Sequence, residues 1–349
     1  MLFKFQVPDI NVWTHLPSPS TPVPKSPFEN ELLSWVFQLT MNLRTPLTIA
    51  VVYFTSVHLI NSIIRRKQIR KYNTIDLEMK MVPIRLTKRE LKKLPAVPHP
   101  LAQMFLFKGF VLIHNIVLCL YSAWTFLGFA KTIALTMYFF ESKFLENKPE
   151  SQATKLDLFV YSMCDAKNGV FSRTLSKDGT NILNLEVFGW LFYISKFYEV
   201  IDTIIILLKG KPSSLLQSYH HAGAMLGMWA GIRYQSPPIW IFVVFNSFIH
   251  TLMYFYFSLS CLNIRVPKIF KKMLTSLQIA QFVIGGSVAV LHGFISILDS
   301  SDAENSKWIG CISSPGQALT VSINVFYLMP LTALFTAFYI ESYLSKKRL

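Results

Sequence analysis

Ionisable side chains are concentrated in residues 196–281, inside segments that are otherwise apolar enough to cross a bilayer. An ionisable group at bilayer depth costs about 2.5–3.5 kcal/mol on insertion scales, and stability alone gives no reason to accumulate that cost. Carboxylates and imidazoles can supply nucleophiles, general acids and general bases near neutral pH. The candidate catalytic residues of this stretch are Glu199, Asp202, His220, His221 and His250.

Neighbouring polar side chains can bind the polar part of a substrate. Spacing of i, i+3, i+6 and i+7 predicts that one helical face carries Lys196, Glu199, Asp202 and Thr203. The alternative for Lys196 and Glu199 is a buried ion pair that fixes helix packing. His114 and Asn115 lie at middle depth in an earlier apolar segment, and one of them is expected to join the cluster. The candidate substrate-binding residues are Lys196, Thr203, Gln217, Asn246, Tyr254, Thr275, Gln278, Gln281 and Asn115.

The adjacent pair His220 and His221 cannot present both imidazoles to one reacting atom, because consecutive helical residues point about 100° apart. Gln217 precedes them by three and four residues, so its amide can reach either ring. A single intramembrane histidine is often a hydrogen-bonded packing residue. Two adjacent histidines beside a glutamine and a carboxylate face favour a functional site.

The composition indicates the kind of element that must position these residues. Hydrophobic residues make up 52% of the chain and charged residues 15%, whereas a soluble domain carries about 25% charged residues. The net charge of +15 lies mostly in short loops beside apolar runs, where it indicates membrane topology. A nucleic-acid partner is not expected, because no basic face without apolar neighbours is visible.

Seven apolar runs are long enough to span a bilayer, at about 20 residues each. They cover residues 46–64, 104–129, 187–208, 215–232, 238–262, 275–294 and 319–343. We therefore predict an all-α membrane protein with seven transmembrane helices in the lipid bilayer. Residues 132–140 are apolar but too short to span, so they are predicted to form a surface or re-entrant piece of the following loop.

The loops between these runs alternate in charge. The basic loops are 65–103, 209–214 and 263–274, whereas loop 130–186 is balanced and loop 295–318 is acidic. The positive-inside rule then places the N-terminus outside the cytosol and the C-terminus inside it. The predicted parts are a non-cytosolic N-terminal segment with an interfacial helix (1–45), a single membrane domain (46–345) and a cytosolic basic tail (346–349).

The N-terminal segment carries two local signals. Residues 26–29 (SPFE) predict a capping box, with proline at the first helical position, that starts the interfacial helix. Five prolines interrupt the first 25 residues, so no cleavable signal peptide is expected.

Two of the four cysteines, Cys164 and Cys311, fall in loops assigned to the non-cytosolic side, where disulfides persist. We predict a disulfide between them, with two unpaired thiols as the alternative.

Four motifs in order and at matching spacing carry a family resemblance. Residues 196–203 (KFYEVIDT), 246–257 (NSFIHTLMYFYF) and 275–281 (TSLQIAQ) resemble the KxxExxDT, NxxxHxxMYxYY and TxxQxxQ motifs of the eukaryotic endoplasmic-reticulum fatty-acid elongases, which are 3-ketoacyl-CoA synthases. Residues 217–221 (QSYHH) resemble the HxxHH box of that family, with glutamine at its first position. The resemblance covers roughly residues 100–345.

The resemblance implies a decarboxylative condensation of acyl-CoA with malonyl-CoA, without a cofactor or a bound metal. It implies that six of the helices form a barrel around an acyl tunnel. His220 would be the nucleophile that forms an acyl-imidazole, and His250 would orient it or stabilise the oxyanion and the enolate. Glu199 and Asp202 would hold the imidazole tautomer. Lys196, Gln278 and Gln281 would bind phosphate, amide or carboxylate groups of the substrates.

Further implications concern substrate, location and partners. With Gln217 at its first position, the histidine box resembles that of fungal, algal and protist elongases that act on polyunsaturated chains. Residues 346–349 (KKRL) resemble a dilysine signal for the endoplasmic reticulum, and a stop-transfer flank is the alternative. A separate ketoacyl reductase, a dehydratase and an enoyl reductase are expected nearby, and homo-oligomer formation stays open.

Two other classes compete with this interpretation. A membrane di-iron desaturase shares an HxxHH-like box, but it needs about eight histidine ligands, and only three of the eight histidines lie in the cluster. Iron content and oxygen consumption would discriminate it. A seven-helix receptor or small-molecule transporter fits the number of spans, and ligand-dependent signalling or flux without CoA chemistry would favour that class.

Overall fold

The computed structural model describes residues 2–78, 88–147, 153–165, 168–172, 184–299 and 307–344. The α-helices are α1 (Ile10–Thr14), α2 (Glu31–Met41), α3 (Arg44–Glu78), α4 (Lys88–Lys93), α5 (Pro100–Gln103), α6 (Phe105–Asn147), α7 (Lys155–Cys164), α8 (Leu185–Tyr198), α9 (Val200–Leu208), α10 (Leu215–Arg233), α11 (Ile239–Ile241), α12 (Ser247–Cys261), α13 (Lys268–Leu291) and α14 (Pro315–Tyr339). Short π-helices cover Phe242–Asn246 and Ile340–Leu344, and a 3₁₀ turn covers His292–Phe294. The strands are β1 (Phe3–Phe5), β2 (Ile295–Leu298) and β3 (Trp308–Gly310).

In the described part of the chain, five helices are long and apolar enough to cross a membrane. They cover Arg44–Asn73, Phe105–Ser142, Ile239–Cys261, Lys268–Phe294 and Pro315–Leu344. These helices coincide with the first, second, fifth, sixth and seventh predicted spans. An all-α membrane protein is therefore confirmed as the fold class.

The third and fourth predicted spans are helical but less regular. The third is divided into α8 and α9 at Glu199, and the fourth is α10, whose first turns carry Gln217, His220 and His221. Helix breaks and polar residues at the site reduce the apolar length of these segments. The count of seven spans and the six-helix barrel around a tunnel therefore stay predictions.

The centre of the bundle is formed by α8 and α10, while α3 and α6 lie outside. The α8 side chains Phe192, Tyr193 and Lys196 are almost fully buried. In contrast, α3 and α6 present exposed apolar residues such as Val51, Leu59 and Leu120. An apolar exterior is what a bilayer requires, and the polar cluster lies on the shielded inner helices.

The prediction for residues 132–140 was wrong, because α6 continues through them to Asn147. No glycine or proline interrupts this stretch, and the hydroxyls of Thr132 and Thr136 donate to carbonyls one turn earlier in the helix. At 1.5 Å per residue, the 43 residues of α6 reach about 65 Å, about twice a hydrocarbon core of 30 Å. The helix must therefore extend well beyond the bilayer.

The start of α2 also differs from the sequence prediction. Asn30 is the N-cap, and its side chain accepts from the Leu33 N–H at 3.0 Å, so the helix begins after the predicted capping box. Asparagine ranks among the best N-cap residues. The Ser26 hydroxyl instead accepts from the Phe28 N–H at 3.1 Å in a local turn.

The C-terminal end of α2 is fixed by the bundle. Trp190 Nε1 donates to Thr40 Oγ1 and the Tyr193 hydroxyl donates to the Thr40 carbonyl, both at 3.0 Å. The helix is confirmed, whereas its position at the membrane interface stays a prediction.

A small three-stranded sheet, which the sequence did not indicate, joins the N-terminus to the segment before α14. The antiparallel order is β1-β2-β3, with Phe3 opposite Ile297 and Ile297 opposite Ile309. The predicted disulfide between Cys164 and Cys311 is confirmed and links α7 to this sheet region.

Asp157 in α7 ties the same region to the chain start. Its Oδ1 accepts from the Leu2 N–H at 2.9 Å. Burial acts to raise the pKa of this carboxyl, but hydrogen bonds from Thr154 and from the Leu2 backbone hold it below its ordinary value. The ionised form is therefore the one that this end of the molecule stabilises.

The predicted basic tail, residues 346–349, lies outside the described residues.

Candidate active site

A cavity of about 520 Å³ lies between α6, α9, α10, α12, α13 and α14. Its wall includes apolar residues such as Phe257, Phe282 and Phe335. The predicted site residues that line it are Asn115, Asp202, Gln217, His220, His221, Asn246, His250, Tyr254, Gln278 and Gln281. The predicted polar cluster therefore surrounds one largely apolar chamber.

Glu199 lies behind this chamber at the junction of α8 and α9. Its Oε1 is 2.7 Å from Lys196 Nζ, and both side chains are only 2% exposed. His250 Nδ1 is 3.6 Å from Oε1, and His221 Nδ1 is 4.0 Å from Oε2. The ion pair considered for Lys196 and Glu199 is present, and the same carboxylate faces two imidazoles of the site.

A π-helical turn precedes His250 and places Asn246. The segment Phe242–Asn246 has π geometry, and α12 follows it directly. Lys196 Nζ donates to Asn246 Oδ1 at 3.2 Å, which connects this turn to the ion pair. Single π turns within α-helices are frequent at functional sites.

Asp202 is held by a tyrosine hydroxyl and an imidazole. The Tyr254 hydroxyl donates to Oδ2 at 2.6 Å, and His114 Nε2 lies 2.8 Å from Oδ1. His114 Nδ1 lies 3.2 Å from the Tyr198 hydroxyl. Asn115, predicted for substrate binding, lines the cavity, and its Nδ2 donates to the Val111 carbonyl at 2.8 Å.

The histidines of α10 have different partners. Gln217 Nε2 is 2.8 Å from His221 Nε2, so the glutamine contacts the second histidine of the pair. His220 Nδ1 is 2.9 Å from the Tyr327 hydroxyl. The His220 ring centroid lies 5.5 Å from that of His221 and 6.5 Å from that of His250.

Three predicted substrate-binding residues do not line this cavity. Thr203 is buried, and its hydroxyl is 2.8 Å from that of Tyr53. The Thr275 hydroxyl donates to the Lys271 carbonyl at 3.1 Å. Lys196 instead borders a small void of about 30 Å³, which is also lined by His220, Phe192 and Tyr327.

The sequence matches the ELO (GNS1/SUR4) family over residues 38–349. The chain belongs to this family. It is 34% identical over 160 residues to "Fatty acid elongase sre1" of Dictyostelium discoideum, covering 46% of this chain and 54% of that protein. It is 32% identical over 164 residues to "Long chain fatty acid elongase 2" of Caenorhabditis elegans, covering 46% of this chain and 54% of that protein. The match spans about half the length of these two relatives.

A third relative matches over a longer stretch of the chain. The chain is 26% identical over 238 residues to "Fatty acid elongase A" of Dictyostelium discoideum, covering 68% of this chain and 73% of that protein. The comparison with solved structures found no match.

Sequence reasoning missed two residues of this ELO-family site. Tyr327 lies in α14, where an apolar helix gave no polar signal. His114 was considered together with Asn115, and Asn115 was preferred. Adjacent helical residues diverge by about 100°, so one can line the cavity while the other contacts Asp202 from outside it.

Proposed function

We propose that this protein is the condensing enzyme of fatty-acid elongation, a 3-ketoacyl-CoA synthase. It joins an acyl-CoA to malonyl-CoA and releases CO2 and CoA. The observation that carries the proposal is the meeting of His220, His250 and Asp202 on one cavity, with the buried Glu199 carboxylate directly behind them. An aromatic wall suits an acyl chain, while the imidazoles suit thioester chemistry.

The first half-reaction is acyl transfer to His220. A lone pair of the neutral imidazole adds to the thioester carbonyl, a C–N bond forms and the C–S bond breaks. CoA leaves as a thiolate, and the acylated His220 ring carries the positive charge. Covalent catalysis of this kind divides one difficult transfer into two easier steps.

The second half-reaction forms the new C–C bond. Malonyl-CoA loses CO2, and the resulting enolate carbon attacks the acyl carbon, so the C–N bond breaks and its electrons return to the imidazole. His250 stabilises the negative charge that develops on the carbonyl or enolate oxygen, and Glu199 balances positive charge among the imidazoles. Gln278 and Gln281, which also line the cavity, bind amide or carboxylate groups.

Entry of the CoA head group follows from charge. Lys209 lines the same cavity, and it attracts phosphate groups. In this proposal the cavity opens toward the cytosol, and the protein lies in the endoplasmic-reticulum membrane with its N-terminus in the lumen. Separate reductase and dehydratase enzymes complete the cycle. The glutamine of the histidine box favours polyunsaturated acyl chains.

The test is the intact mass of detergent-purified protein after brief incubation with acyl-CoA alone, for several chain types. Wild type is expected to gain the mass of the acyl group, and His220→Ala is expected to gain none. His15→Ala, in the N-terminal segment, is the control and should label like wild type.

The other outcomes are distinct. Ketoacyl product from malonyl-CoA without any adduct would keep the condensing activity and reject the histidine nucleophile. If folded protein gave no adduct and no ketoacyl product, the proposed function would be overturned.

A further inference from the structure

His220 and His221 are adjacent in α10, but each is hydrogen-bonded through a different ring nitrogen, Nδ1 for His220 and Nε2 for His221. The Tyr327 hydroxyl donates its one proton to the His220 backbone carbonyl at 3.0 Å. The same oxygen is 2.9 Å from His220 Nδ1. With the hydroxyl proton on that carbonyl, the Tyr327 oxygen accepts from His220, and Nδ1 carries the hydrogen.

His221 is held in a different way. Gln217 Nε2 is an amide nitrogen, which can only donate, and it lies 2.8 Å from His221 Nε2. His221 Nε2 is therefore the acceptor, and its lone pair is occupied. The hydrogen of this ring lies on Nδ1, which is 4.0 Å from Glu199 Oε2.

Tyr327 is fixed against α10 by packing. A Cβ at Gly223, three residues after His220, would lie 2.2 Å from Tyr327 Cε2, so only glycine allows this approach. The Tyr219 hydroxyl donates to the Tyr327 carbonyl at 3.2 Å. The tyrosine ring is thus held between two turns of the helix that carries the histidines.

We propose that Tyr327 is a positioning residue that fixes His220 as the Nδ1–H tautomer and leaves its Nε2 lone pair open to the cavity, whereas Gln217 occupies the equivalent lone pair of His221. This inference rests on the proposed function, and it selects the nucleophilic atom as well as the residue. His220 lines the cavity, and within the described ranges no side chain is hydrogen-bonded to its Nε2.

The tautomer has a chemical consequence for the acyl-enzyme. Attack by Nε2 on the thioester leaves the acyl group on Nε2 and the hydrogen on Nδ1, so the ring is cationic while CoA leaves as a thiolate. Tyr327 cannot readily take that proton, because its oxygen already donates to a carbonyl. When the enolate attacks, the C–N electrons return to Nε2 and the neutral Nδ1–H ring is restored. A cationic imidazolium is a better leaving group than an imidazole anion.

The tautomer can be measured without turnover. The ¹⁵N signals of imidazole nitrogens distinguish a protonated from a bare nitrogen, and His220 is assigned by the signal lost in His220→Ala. We expect Nδ1 protonated and Nε2 bare in wild type, and a mixture of both tautomers in Tyr327→Phe. Tyr339→Phe, on the same helix as Tyr327 but outside the cavity, is the matched control and should keep the wild-type signal. A wild-type His220 protonated at Nε2 would overturn the proposal, whether or not the protein forms an adduct.

Acylation then tests the function of the tautomer. Tyr327→Phe is expected to form the acyl adduct at least about tenfold more slowly, a milder loss than the roughly 10⁴-fold caused by a wrong histidine tautomer in a serine protease. Nδ1-methylhistidine at position 220 keeps the Nε2 lone pair without help from Tyr327. In the Tyr327→Phe background, where the hydroxyl oxygen that lies 2.9 Å from Nδ1 is gone, it should raise the acylation rate above that of Tyr327→Phe with ordinary histidine.

Two results would contradict the positioning role. One is wild-type acylation by Tyr327→Phe. The other is a slow Tyr327→Phe variant that the histidine analogue does not rescue, which would assign Tyr327 a purely structural role. Absence of any adduct in wild type with the expected ¹⁵N signals would instead reject the histidine nucleophile of the proposed function and keep the tautomer assignment.

Discussion

Glu199 and Asp202 lie one turn apart, yet their surroundings differ in charge. Glu199 is 2% exposed, and its carboxylate pairs with the buried ammonium of Lys196 at 2.7 Å. Asp202 is 15% exposed and is bound by a tyrosine hydroxyl at 2.6 Å and an imidazole at 2.8 Å. The Glu199 cluster, which is Glu199 with Lys196, His221 and His250, is therefore a balance of buried charges. The Asp202 cluster, which is Asp202 with Tyr254, His114 and Tyr198, is a set of hydrogen bonds.

This difference separates two roles that the sequence assigned jointly. The Nδ1 atoms of His221 and His250 face the Glu199 carboxylate. The charge of Glu199 can therefore balance positive charge that develops on these imidazoles during catalysis. Asp202 joins α6, α9 and α12, because His114, Asp202 and Tyr254 come from these three helices. We interpret the first cluster as electrostatic and the second as a brace that also forms part of the cavity wall.

The largest effect is expected for Glu199→Gln. Removing one partner of a buried ion pair costs about 3–5 kcal/mol, because the remaining charge is left unpaired. Elongation should fall below detection, and the midpoint of thermal unfolding in detergent should drop. Elongation assays on microsomes and thermal unfolding of purified protein measure the two losses.

A second variant separates folding from chemistry. Lys196→Met combined with Glu199→Gln removes both charges, so much of the lost thermal stability should return while elongation stays absent. Full activity in the double variant would show that Glu199 only compensates Lys196 and would remove the contrast between the clusters.

Tyr254→Phe tests the brace with a smaller expected effect. It deletes the donor to Asp202 Oδ2, and a hydrogen bond to a charged group contributes about 1.5–3 kcal/mol. Thermal stability should fall by a corresponding amount, and elongation should be reduced but measurable. Tyr256→Phe on the same helix is the control, and it should resemble wild type. Complete loss of elongation at unchanged stability would give Tyr254 a chemical role.

A sequence prediction succeeded where the feature leaves a local pattern in the sequence, and it failed where the feature depends on contacts between distant residues. Residues 196–203 and 246–257 could be assigned to a site because ionisable groups in apolar helices are conspicuous. Ten predicted residues line one cavity, whereas Thr203 and Thr275 make local hydrogen bonds instead. Spacing defines a helical face, but it does not determine which part of that face a neighbouring helix covers.

Other features depended on contacts that no local pattern reveals. Tyr327 is a single tyrosine in an apolar helix, and its role requires the close approach at Gly223. The sheet pairs Phe3 with Ile297 across almost the whole chain, and its strands are too short to show alternation. The disulfide could be predicted because the predicted topology assigned Cys164 and Cys311 to the same side of the membrane.

His114→Phe is expected to have a weaker effect on elongation than Tyr254→Phe. His114 is fully buried and does not line the cavity, so its loss removes one hydrogen bond to Asp202 from outside the site. Thermal stability should fall, while the KM for acyl-CoA should change little. A fall in kcat at unchanged stability would indicate proton transfer through His114. The Asp202 cluster would then have a role in catalysis as well as in structure.

The smallest effect is expected for Gln217→His, which restores the box pattern of the resembling family. A histidine N–H at position 217 can donate to His221 Nε2 as the glutamine amide does at 2.8 Å, so elongation should remain substantial. Gln217→Leu keeps a similar volume without a donor, and it should lower elongation because His221 Nε2 loses its partner. Gln217→Glu should also lower it, since a carboxylate favours a proton on that nitrogen. Loss of elongation in Gln217→His with expression intact would mean that Gln217 contacts the substrate directly, and the Glu199 cluster would then extend to the binding of the polar head group.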